Sequence, residues 1–414
     1  TRLDEGQLGW GGGYAQRSPR TPTGRLGPML NMAEGVARLG ALATSPVVAA
    51  VAAAFEEAGF ELAIVGGPVR DALLGRTTHD LDFTTNARPD DILRIVAPLS
   101  TAHWDIGRDF GTIGARIALP GGGAEQVEIT TYRADSYDGV TRKPTVEFGD
   151  TLEGDLVRRD FTVNAMALRV PSQKLVDPSG GVEDLLAQRL RTPADPAVSF
   201  GDDPLRMLRA ARFASQLSFD VDSETVSAMQ RLRESIRIVS AERIHGELVR
   251  LMQTDDPLRG IRLLVETGLM EQFLPEVPAL RLEIDEHHHH KDVYEHSLTV
   301  VRQAIELEHE RHPDAEPDVP LRLAALLHDI GKPATRRLEP GGGVTFHHHD
   351  IKGVRMARKR LKELRFDAAT IDTITTLIDE SMDMELKYFD VMERYRPLSR
   401  YHVTVADDEA STAK

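Results

Sequence analysis

The sequence contains no cysteine and no long apolar run. The lack of cysteine excludes disulfide bonds and thiolate zinc sites, and it fits a reducing compartment. A membrane-spanning helix needs about 18 or more consecutive apolar residues, and neither such a run nor a secretory signal pattern is present. We therefore expect a soluble, cytoplasmic protein that has no membrane partner.

Basic residues are fewer than acidic ones, with 50 Lys and Arg against 65 Asp and Glu and a formal net charge of −15. This balance argues against a surface coated with nucleic-acid-binding charge, but it is compatible with a local basic face on an acidic body. The histidines are unevenly placed, since most of the 15 lie between His287 and His349. Such clustering indicates either a metal site or a chance polar run.

The 414 residues exceed one ordinary domain, and the 41% hydrophobic content is enough for the cores of two or three. Hydrophobic periodicity predicts a helix over residues 46–58, a strand in "FELAIVGG", a short helix in "PVRDALLG" and a strand in "HDLDFTT". Two further strands, "GTIGARIAL" and "AEQVEITTYR", flank a triple-glycine turn. Beyond Asp184 the pattern is almost entirely helical, to about Lys387.

These patterns predict an α+β protein, in which a small head with a mixed or antiparallel sheet precedes an all-helical body. The first residues are rich in Gly, Arg, Pro and Ser without a period, so we expect a disordered arm there. The predicted divisions are the arm (1–35), the head (36–180), a helical neck (181–275), a histidine-rich domain (276–390) and a C-terminal tail (391–414).

The stretch "VGGPVRDALLGRTTHDLDFTT", residues 65–85, carries the clearest chemical pattern. Residues i and i+2 of a strand point to the same side, so Asp80 and Asp82 bring two carboxylates together. A cation relieves their repulsion, and Mg²⁺ suits hard oxygen ligands while keeping positions open for phosphate oxygens. Gly66 and Gly67 allow a phosphate to approach the backbone at a helix N-terminus, where Arg70 can bind it.

This ordered string resembles the first motif of the tRNA nucleotidyltransferase and bacterial poly(A) polymerase family, a branch of the DNA polymerase beta superfamily. The resemblance implies a nucleotidyltransferase head in which Asp80 and Asp82 bind the catalytic metals, while Gly67 and Arg70 contact the triphosphate. Glu128, in "VEITTYR", matches a third carboxylate that acts as a metal ligand or as the base for the attacking hydroxyl. The alternative for Glu128 is an ordinary exposed strand residue.

The stretch "LVRRDFTVNAMAL", residues 156–168, resembles the second motif of the same family. The resemblance implies that Arg159, Asp160 and Asn164 recognise the nucleotide sugar, because carboxylate and amide groups can bond the ribose hydroxyls. The alternative is a structural salt bridge at a domain corner.

The stretch "DDPLRMLRAARFASQLSF", residues 202–219, predicts a helix on which Asp203, Arg206 and Arg209 share one face. The family resemblance implies that the matching Asp and Arg pair with the incoming base. Cytosine and adenine both present an amino donor beside a ring-nitrogen acceptor, which suits a carboxylate and a guanidinium. Guanine and uracil present the reverse order and leave buried polar groups without partners. The alternative is a set of ion pairs on a solvated face.

The histidine-rich part resembles the HD metal-dependent phosphohydrolase superfamily. His296, His328 and Asp329 match its pattern of one histidine followed by a His-Asp pair, and His349 matches an additional histidine. The resemblance implies a divalent metal in an HD domain at 276–390, with Asp379 or Asp383 as the distal ligand. The run His287–His290 is more typical of a solvated helix start.

Together these motifs predict template-independent addition of C, C and A to tRNA 3′ ends from CTP and ATP, with Mg²⁺ in the head. The alternatives are a poly(A) polymerase, an HD phosphohydrolase with a nucleotide-sensing head, and an RNA-binding protein with an inactive head. RNA contact is predicted at the basic stretches "RMLRAARF" and "ARKRLKELR", which are equally typical of solvated helix faces.

Overall fold

The computed structural model describes residues 32–77, 80–105, 107–119, 122–133, 149, 151–281, 293–338 and 344–380. Four predictions lie outside these residues: most of the N-terminal arm, the run His287–His290, the candidate ligand Asp383 and the C-terminal tail. The first helix begins at Met32, so the predicted arm, which extended to residue 35, ends too late.

The head is built on one mixed sheet, which has seven strands within the described residues. The strands are β1 (Leu62–Val65), β2 (Leu81–Thr85), β3 (Ser100–Trp104), β4 (Thr112–Ala118), β5 (Ala124–Thr131), β6 (Ala167–Val170) and β7 (Lys174–Val176). Their order across the sheet is β3-β4-β5-β2-β1-β6-β7. Strands β2 and β5 run parallel, whereas the other neighbouring pairs are antiparallel.

One face of this sheet is covered by helices and forms the main core. The helices are α1 (Met32–Ala43), α2 (Pro46–Glu57), α3 (Gly67–Leu74) and α4 (Pro89–Val96). Helix α2 presents Val47, Val48, Val51 and Phe55, each no more than 1% exposed, because its apolar residues recur at helical spacing. Burying each such side chain contributes about 1.5–3 kcal/mol.

Among the residues that the structure describes, the other face is covered at one side of the sheet. There α5 (Leu152–Val157) packs Leu152 and Leu156 against Val65 and Tyr132 in a small separate cluster. Strands β2, β5 and β4 place polar side chains on this face, and the carboxylates of the predicted active site are among them. The described part of the head therefore leaves a polar surface open beside the first glycine turn.

The body is helical, with short strand pairs between the helices. The helices are α6 (Gly181–Leu186), α7 (Pro196–Asp202), α8 (Leu205–Leu217), α9 (Ser223–Leu232), α10 (Ala241–Met252), α11 (Pro257–Glu266), α12 (Met270–Phe273), α13 (Val293–Arg311), α14 (Val319–Leu327), α15 (Lys332–Thr335), α16 (His349–Glu363) and α17 (Ala368–Glu380). The short strands are β8 (Arg189–Leu190) with β9 (Asp220–Val221), and β10 (Arg337–Leu338) with β11 (Val344–Thr345).

The predicted α+β architecture is confirmed, although the body is not purely helical. Helix α8 packs closely on α11 at Gly260, where a side chain would come within 2.5 Å of the Ala211 carbonyl oxygen. Among the described residues, no single helix is long and apolar enough to cross a membrane. Helices α1 and α2 meet the length and composition requirement only as a pair bent by 63°.

Candidate active site and metal centre

The turn between β1 and α3 is the first element of the candidate active site. Gly66 has φ 76° and ψ −128°, a conformation that strains any residue with a side chain. Helix α3 then begins at Gly67 with Pro68 in its first turn, so its N-terminal N–H groups lie at this turn. A turn of this kind followed by a helix start can bind a phosphate group.

Two of the predicted carboxylates lie side by side on the open face of the sheet. Asp82 of β2 pairs in register with Glu128 of the parallel strand β5, so both side chains point to the same face. Asp80 is exposed and immediately precedes β2. This strand begins at Leu81, whereas the pattern "HDLDFTT" predicts a strand that includes Asp80. Burial raises the pKa of Asp82, the Arg159 charge opposes this rise, and Asp80 adds to it. Carboxylates that repel in this way can serve as a pair of ligands for a divalent cation.

Arg159 lies between the glycine turn and Asp82. A side chain placed at Gly66 would come within 3.4 Å of its Nη1, and its Nη2 donates to the Asp155 carboxylate at 3.1 Å. Its Nε is buried and has no hydrogen-bond partner in the part of the chain that the structure describes. A buried donor without a partner costs free energy, so an incoming phosphate or sugar oxygen would stabilise it.

Arg70 is buried and already holds protein partners. Its Nε and Nη2 donate to the Asp71 carboxylate at 2.8 and 2.9 Å, and its Nη1 donates to Asn164 Oδ1 at 2.6 Å. Three of its five N–H donors are therefore engaged. Its contact with the triphosphate stays a prediction, and in this structure Arg70 fixes the first turn of α3 to the second motif.

Asp160 and Asn164 connect the head to the neck. Asp160 Oδ1 accepts from the Phe161 backbone N–H and from Asn164 Nδ2, while Oδ2 accepts from Arg209 Nε and Nη2 at 2.9 and 2.6 Å. Burial would raise the pKa of Asp160, but Arg209 and Asn164 outweigh it and lower the value to about 2. Sugar recognition by these residues stays a prediction, because in this structure their polar atoms bond to the protein.

A stacked cluster of charges continues this connection into α8. Phe213 lies under three guanidinium groups, those of Arg70, Arg209 and Arg212, at 5.3, 5.5 and 4.0 Å from its ring centre. Arg212 Nε also donates to Glu247 of α10 at 2.6 Å. We call the set Arg70, Asn164, Asp160, Arg209, Phe213, Arg212 and Glu247 the head–neck network.

The predicted base-reading residues do not share one helix. Asp203 has extended backbone (φ −142°, ψ 101°) and ends α7, whereas Arg206 lies in the first turn of α8. The prediction of one continuous helix is wrong because Pro204 disfavours helical backbone at the residue before it. Asp203 Oδ1 caps α8 by accepting from the Leu205 N–H at 3.1 Å.

Both of these side chains hold partners within the protein. Asp203 Oδ2 pairs with Arg243 Nη2 at 2.8 Å. Arg206 donates from Nη1 to the Ser199 hydroxyl at 2.9 Å and from Nη2 to the Arg158 carbonyl at 2.7 Å. Reading a base edge would require these contacts to be exchanged for contacts with the base.

The second predicted site brings four side chains of the body together. Asp329 Oδ2 lies 3.2 Å from His328 Nε2 and 3.9 Å from His296 Nε2, while its Oδ1 lies 3.5 Å from His349 Nε2. One ligand atom from each of His296, His328 and Asp329 lies within 4.8 Å of the others, so the three could hold a metal ion. Among the described residues this group does not include His349 or Asp379.

The ring orientations at this centre suit metal binding. The Nδ1 atoms of His328 and His349 contact backbone carbonyls at 2.9 and 2.8 Å, which favours N–H at Nδ1 and a lone pair at Nε2. Lys332, which carried no predicted role, contacts Asp329 Oδ2 at 2.7 Å. Burial would raise the pKa of Asp329, but His328 and His349, when their rings are protonated, and the charge of Lys332 lower it strongly.

Gly331 explains how His349 reaches this centre. A side chain at Gly331 would lie 1.9 Å from the His349 carbonyl oxygen and 2.8 Å from the Gly353 nitrogen. The absence of a side chain therefore lets the loop after Asp329 touch the first turn of α16. The glycine of the "HDIGK" stretch is a packing requirement that positions the histidine.

The predicted RNA-contacting stretches are largely engaged internally. Arg209 and Arg212 of "RMLRAARF" point into the head–neck network, so this stretch does not offer them to an RNA. In "ARKRLKELR", Arg360 pairs with Glu276 and Arg358 with Asp372. A cavity of about 420 Å³ elsewhere contains none of the predicted site residues; it is lined by Arg76, Arg212, Gln216, Arg250, Gln253, Thr254 and Asp255.

Comparison with known proteins identifies relatives for each part of the chain. Family models match at residues 62–191 (poly A polymerase head domain), 218–280 (probable RNA and SrmB-binding site of polymerase A) and 293–408 (HD domain). The A-adding tRNA nucleotidyltransferase of Deinococcus radiodurans is 35% identical over 326 residues, which cover 77% of this chain and 68% of that protein.

Other relatives are matched over less of their length. The CCA-adding enzyme of Bacillus pumilus is 39% identical over 228 residues, so the alignment spans only 54% of that protein and 55% of this chain. The solved structure of the Thermotoga maritima CCA-adding enzyme complexed with tRNA-CCA has a TM-score of 0.58 at 20% identity, and the match covers 89% of this chain and 79% of that one. This last likeness shows the fold.

Proposed function

Since this chain belongs to the tRNA nucleotidyltransferase family, we propose that it adds C, C and A to the 3′ end of tRNA from CTP and ATP. The observation that carries the proposal is the pairing of Asp82 with Glu128 beside the glycine turn, with the unused Nε donor of Arg159 between them and the turn. An acidic pair next to a phosphate-binding turn suits nucleotidyl transfer.

The reaction forms one bond and breaks another at the α-phosphorus of the bound nucleotide. The 3′-hydroxyl oxygen of the RNA attacks, the bond to the β-phosphate oxygen breaks, and pyrophosphate leaves in line with the attack. The glycine turn and Arg159 orient the triphosphate, and Glu128 lies where it can accept the hydroxyl proton or complete the ligand set. Mg²⁺ held by Asp80 and Asp82 would supply charge neutralisation and lower the pKa of the hydroxyl.

Base choice is assigned to Asp203 and Arg206. Their present partners, Arg243, Ser199 and the Arg158 carbonyl, keep both groups satisfied until a base arrives. Cytosine or adenine would replace these bonds one for one, whereas guanine or uracil would leave a buried donor and a buried acceptor without partners. We assign nucleotidyl transfer to the head, residues 36–180, and base recognition to the neck, residues 181–275.

The experiment is incorporation with each of the four triphosphates on tRNAs that end before, within and after CCA. We expect CTP use on the first two acceptors and ATP use only after both C residues are present. Addition of A alone is the second candidate, because the relative named A-adding matches 77% of this chain. That result would keep the enzyme class and change the product, whereas continued addition of A would identify a poly(A) polymerase.

The HD centre is proposed as an accessory phosphohydrolase site at 276–390. His296, His328 and Asp329 would hold a divalent metal, whose identity metal analysis of the purified protein would give. We propose a cytoplasmic location, because the proposed substrates, tRNA and nucleoside triphosphates, are present there.

A further inference from the structure

The Trp104 indole packs over Gly114 on the face of the head sheet that carries the predicted carboxylates. A side chain at Gly114 of β4 would fall 2.1 Å from Cε2 and Nε1 of the Trp104 indole, and 2.5 Å from Cζ2. The indole therefore occupies the space over Gly114 that any other residue would fill. Trp104 is half-buried in this position.

The indole lies in the same row as the predicted catalytic carboxylates. Trp104 pairs in register with Gly114, Gly114 with Glu128, and Glu128 with Asp82, so the four residues follow one another across β3, β4, β5 and β2. Residues in one register row point to the same face of a sheet. The aromatic ring, which occupies the space over Gly114, is therefore the side chain that follows the two carboxylates in this row.

The two substrates must arrive at this row from opposite sides. The glycine turn and Arg159, which would hold the triphosphate, lie on the β1 side of Asp82, because β1 is the neighbour of β2 away from β5. In-line displacement requires the attacking hydroxyl to approach opposite to the leaving pyrophosphate. The RNA end should therefore come from the β5 and β4 side, over Glu128, where the indole lies.

We propose that Trp104 is a stacking platform for the 3′-terminal base of the RNA acceptor, an inference that rests on the proposed nucleotidyl transfer. The acceptor end is the base that precedes CCA at the first addition and C at the next two, so its subsite has to accept different bases. Stacking on an aromatic ring is tolerant of sequence because every base has a π-face, whereas hydrogen-bond readout is not. Gly114 serves the platform by leaving room for the ring on the sheet.

Steady-state kinetics on a short acceptor-stem minihelix test the proposal, since a small acceptor has few other contacts that would mask the loss. Trp104→Ala should raise the KM for the minihelix about tenfold or more and leave the KM for the triphosphate within about twofold. Trp104→Phe should restore most of the acceptor binding. Gly114→Ala should act like Trp104→Ala, because its new methyl group displaces the ring. His103→Ala, an exposed neighbour on β3, is the matched control and should behave as the unaltered chain.

Tryptophan fluorescence distinguishes stacking of a base on Trp104 from a purely structural role of this residue. The sequence has two tryptophans, Trp10 and Trp104, so a full-length Trp10→Phe chain reports on Trp104 alone. The minihelix should quench this emission to saturation, and ATP alone should not. The stacking proposal would be wrong if Trp104→Ala left the KM for the minihelix unchanged, or if a minihelix that is elongated normally did not quench the emission. Either result would leave the proposed function intact. Failure of the unaltered chain to elongate any RNA would overturn both.

Discussion

The bond between Asp160 and Arg209 should be the main electrostatic link between head and neck. Replacing Asp160 with Asn removes the negative charge but keeps the size and one acceptor oxygen. The Arg209 guanidinium donates twice to Asp160 Oδ2, and the Phe161 N–H and Asn164 donate to Oδ1. In either orientation the new amide NH2 group therefore faces hydrogen-bond donors, and the charge that attracts Arg209 is lost.

The magnitude follows from the proton affinity of Asp160. Its pKa falls from 3.8 to about 2 in the folded chain, and a tenfold change in proton affinity corresponds to about 1.4 kcal/mol. The charged carboxylate thus contributes about 2.5 kcal/mol to folding at neutral pH. Breaking a buried pair costs about 3–5 kcal/mol, but the Arg209 side chain is 32% exposed. We therefore expect Asp160→Asn to lower the free energy of unfolding of the head by about 2–3 kcal/mol.

Urea unfolding of the Trp10→Phe variant, with Trp104 emission as the signal, measures this loss of unfolding free energy in the head. Because the folded pKa is lowered, the contribution is complete above pH 3.8 and is lost as the pH falls towards 2. The difference between Asp160→Asn and the unaltered residue should therefore shrink below about pH 4. Glu34→Gln, which breaks the exposed pair with Arg38, is the control and should cost about 0.5 kcal/mol or less.

A double-mutant cycle with Arg209→Met separates the pair from other effects of either change. We expect a coupling of about 2 kcal/mol, since the two groups contact each other directly. A coupling below about 0.5 kcal/mol, or a loss of stability that does not depend on pH, would refute the assignment of this pair as the link.

Three further changes test the two sites. Asp82→Asn should reduce nucleotide addition by at least about a thousandfold with unchanged circular dichroism, because a charge at the reacting phosphate is lost; activity near that of the unaltered chain with Mg²⁺ present would contradict the metal assignment. Arg206→Ala should slow CTP and ATP use by about 2–4 kcal/mol of transition-state stabilisation, with smaller effects on GTP and UTP in single-nucleotide incorporation; uniform slowing with unchanged preference would show a structural role. His328→Ala should remove bound divalent metal, measured by elemental analysis, and leave nucleotide addition unchanged; parallel loss of both would mean that the sites are not independent.

Local chemistry allowed much of the head to be predicted. The glycine turn, the helix from Pro68 to Gly75 and the strands around Asp82 follow from residues within a few positions of one another. Gly75, for example, ends α3 in left-handed conformation, φ 72°, as a glycine after a short helical pattern predicts. The resemblance to family motifs supplied the candidate site residues, which periodicity alone could not.

Contacts between distant residues could not be predicted in this way. Asp160 lies 49 positions from Arg209 and Asn164 lies 94 positions from Arg70, so their mutual bonds depend on how the head meets the neck. The break before α8 was, in contrast, accessible from the sequence, because Pro204 disfavours helical backbone at Asp203. The ring of Trp104 over Gly114 needed the strand register, which no sequence pattern in β3 indicates.

The head–neck network also constrains how one site can serve both a pyrimidine and a purine. Its hydrogen bonds connect the glycine turn, where we propose that phosphates bind, to α8, so a longer base is not expected to be accommodated by moving the two parts away from each other. Any adjustment must come from the groups that read the base. Arg206 is held by hydrogen bonds to the hydroxyl and carbonyl of Ser199 and to the Arg158 carbonyl, and Asp203 lies in an extended link before Pro204. We therefore expect that the side chains of Asp203 and Arg206 move when the site changes from a pyrimidine to a purine, while the residues around them keep their positions.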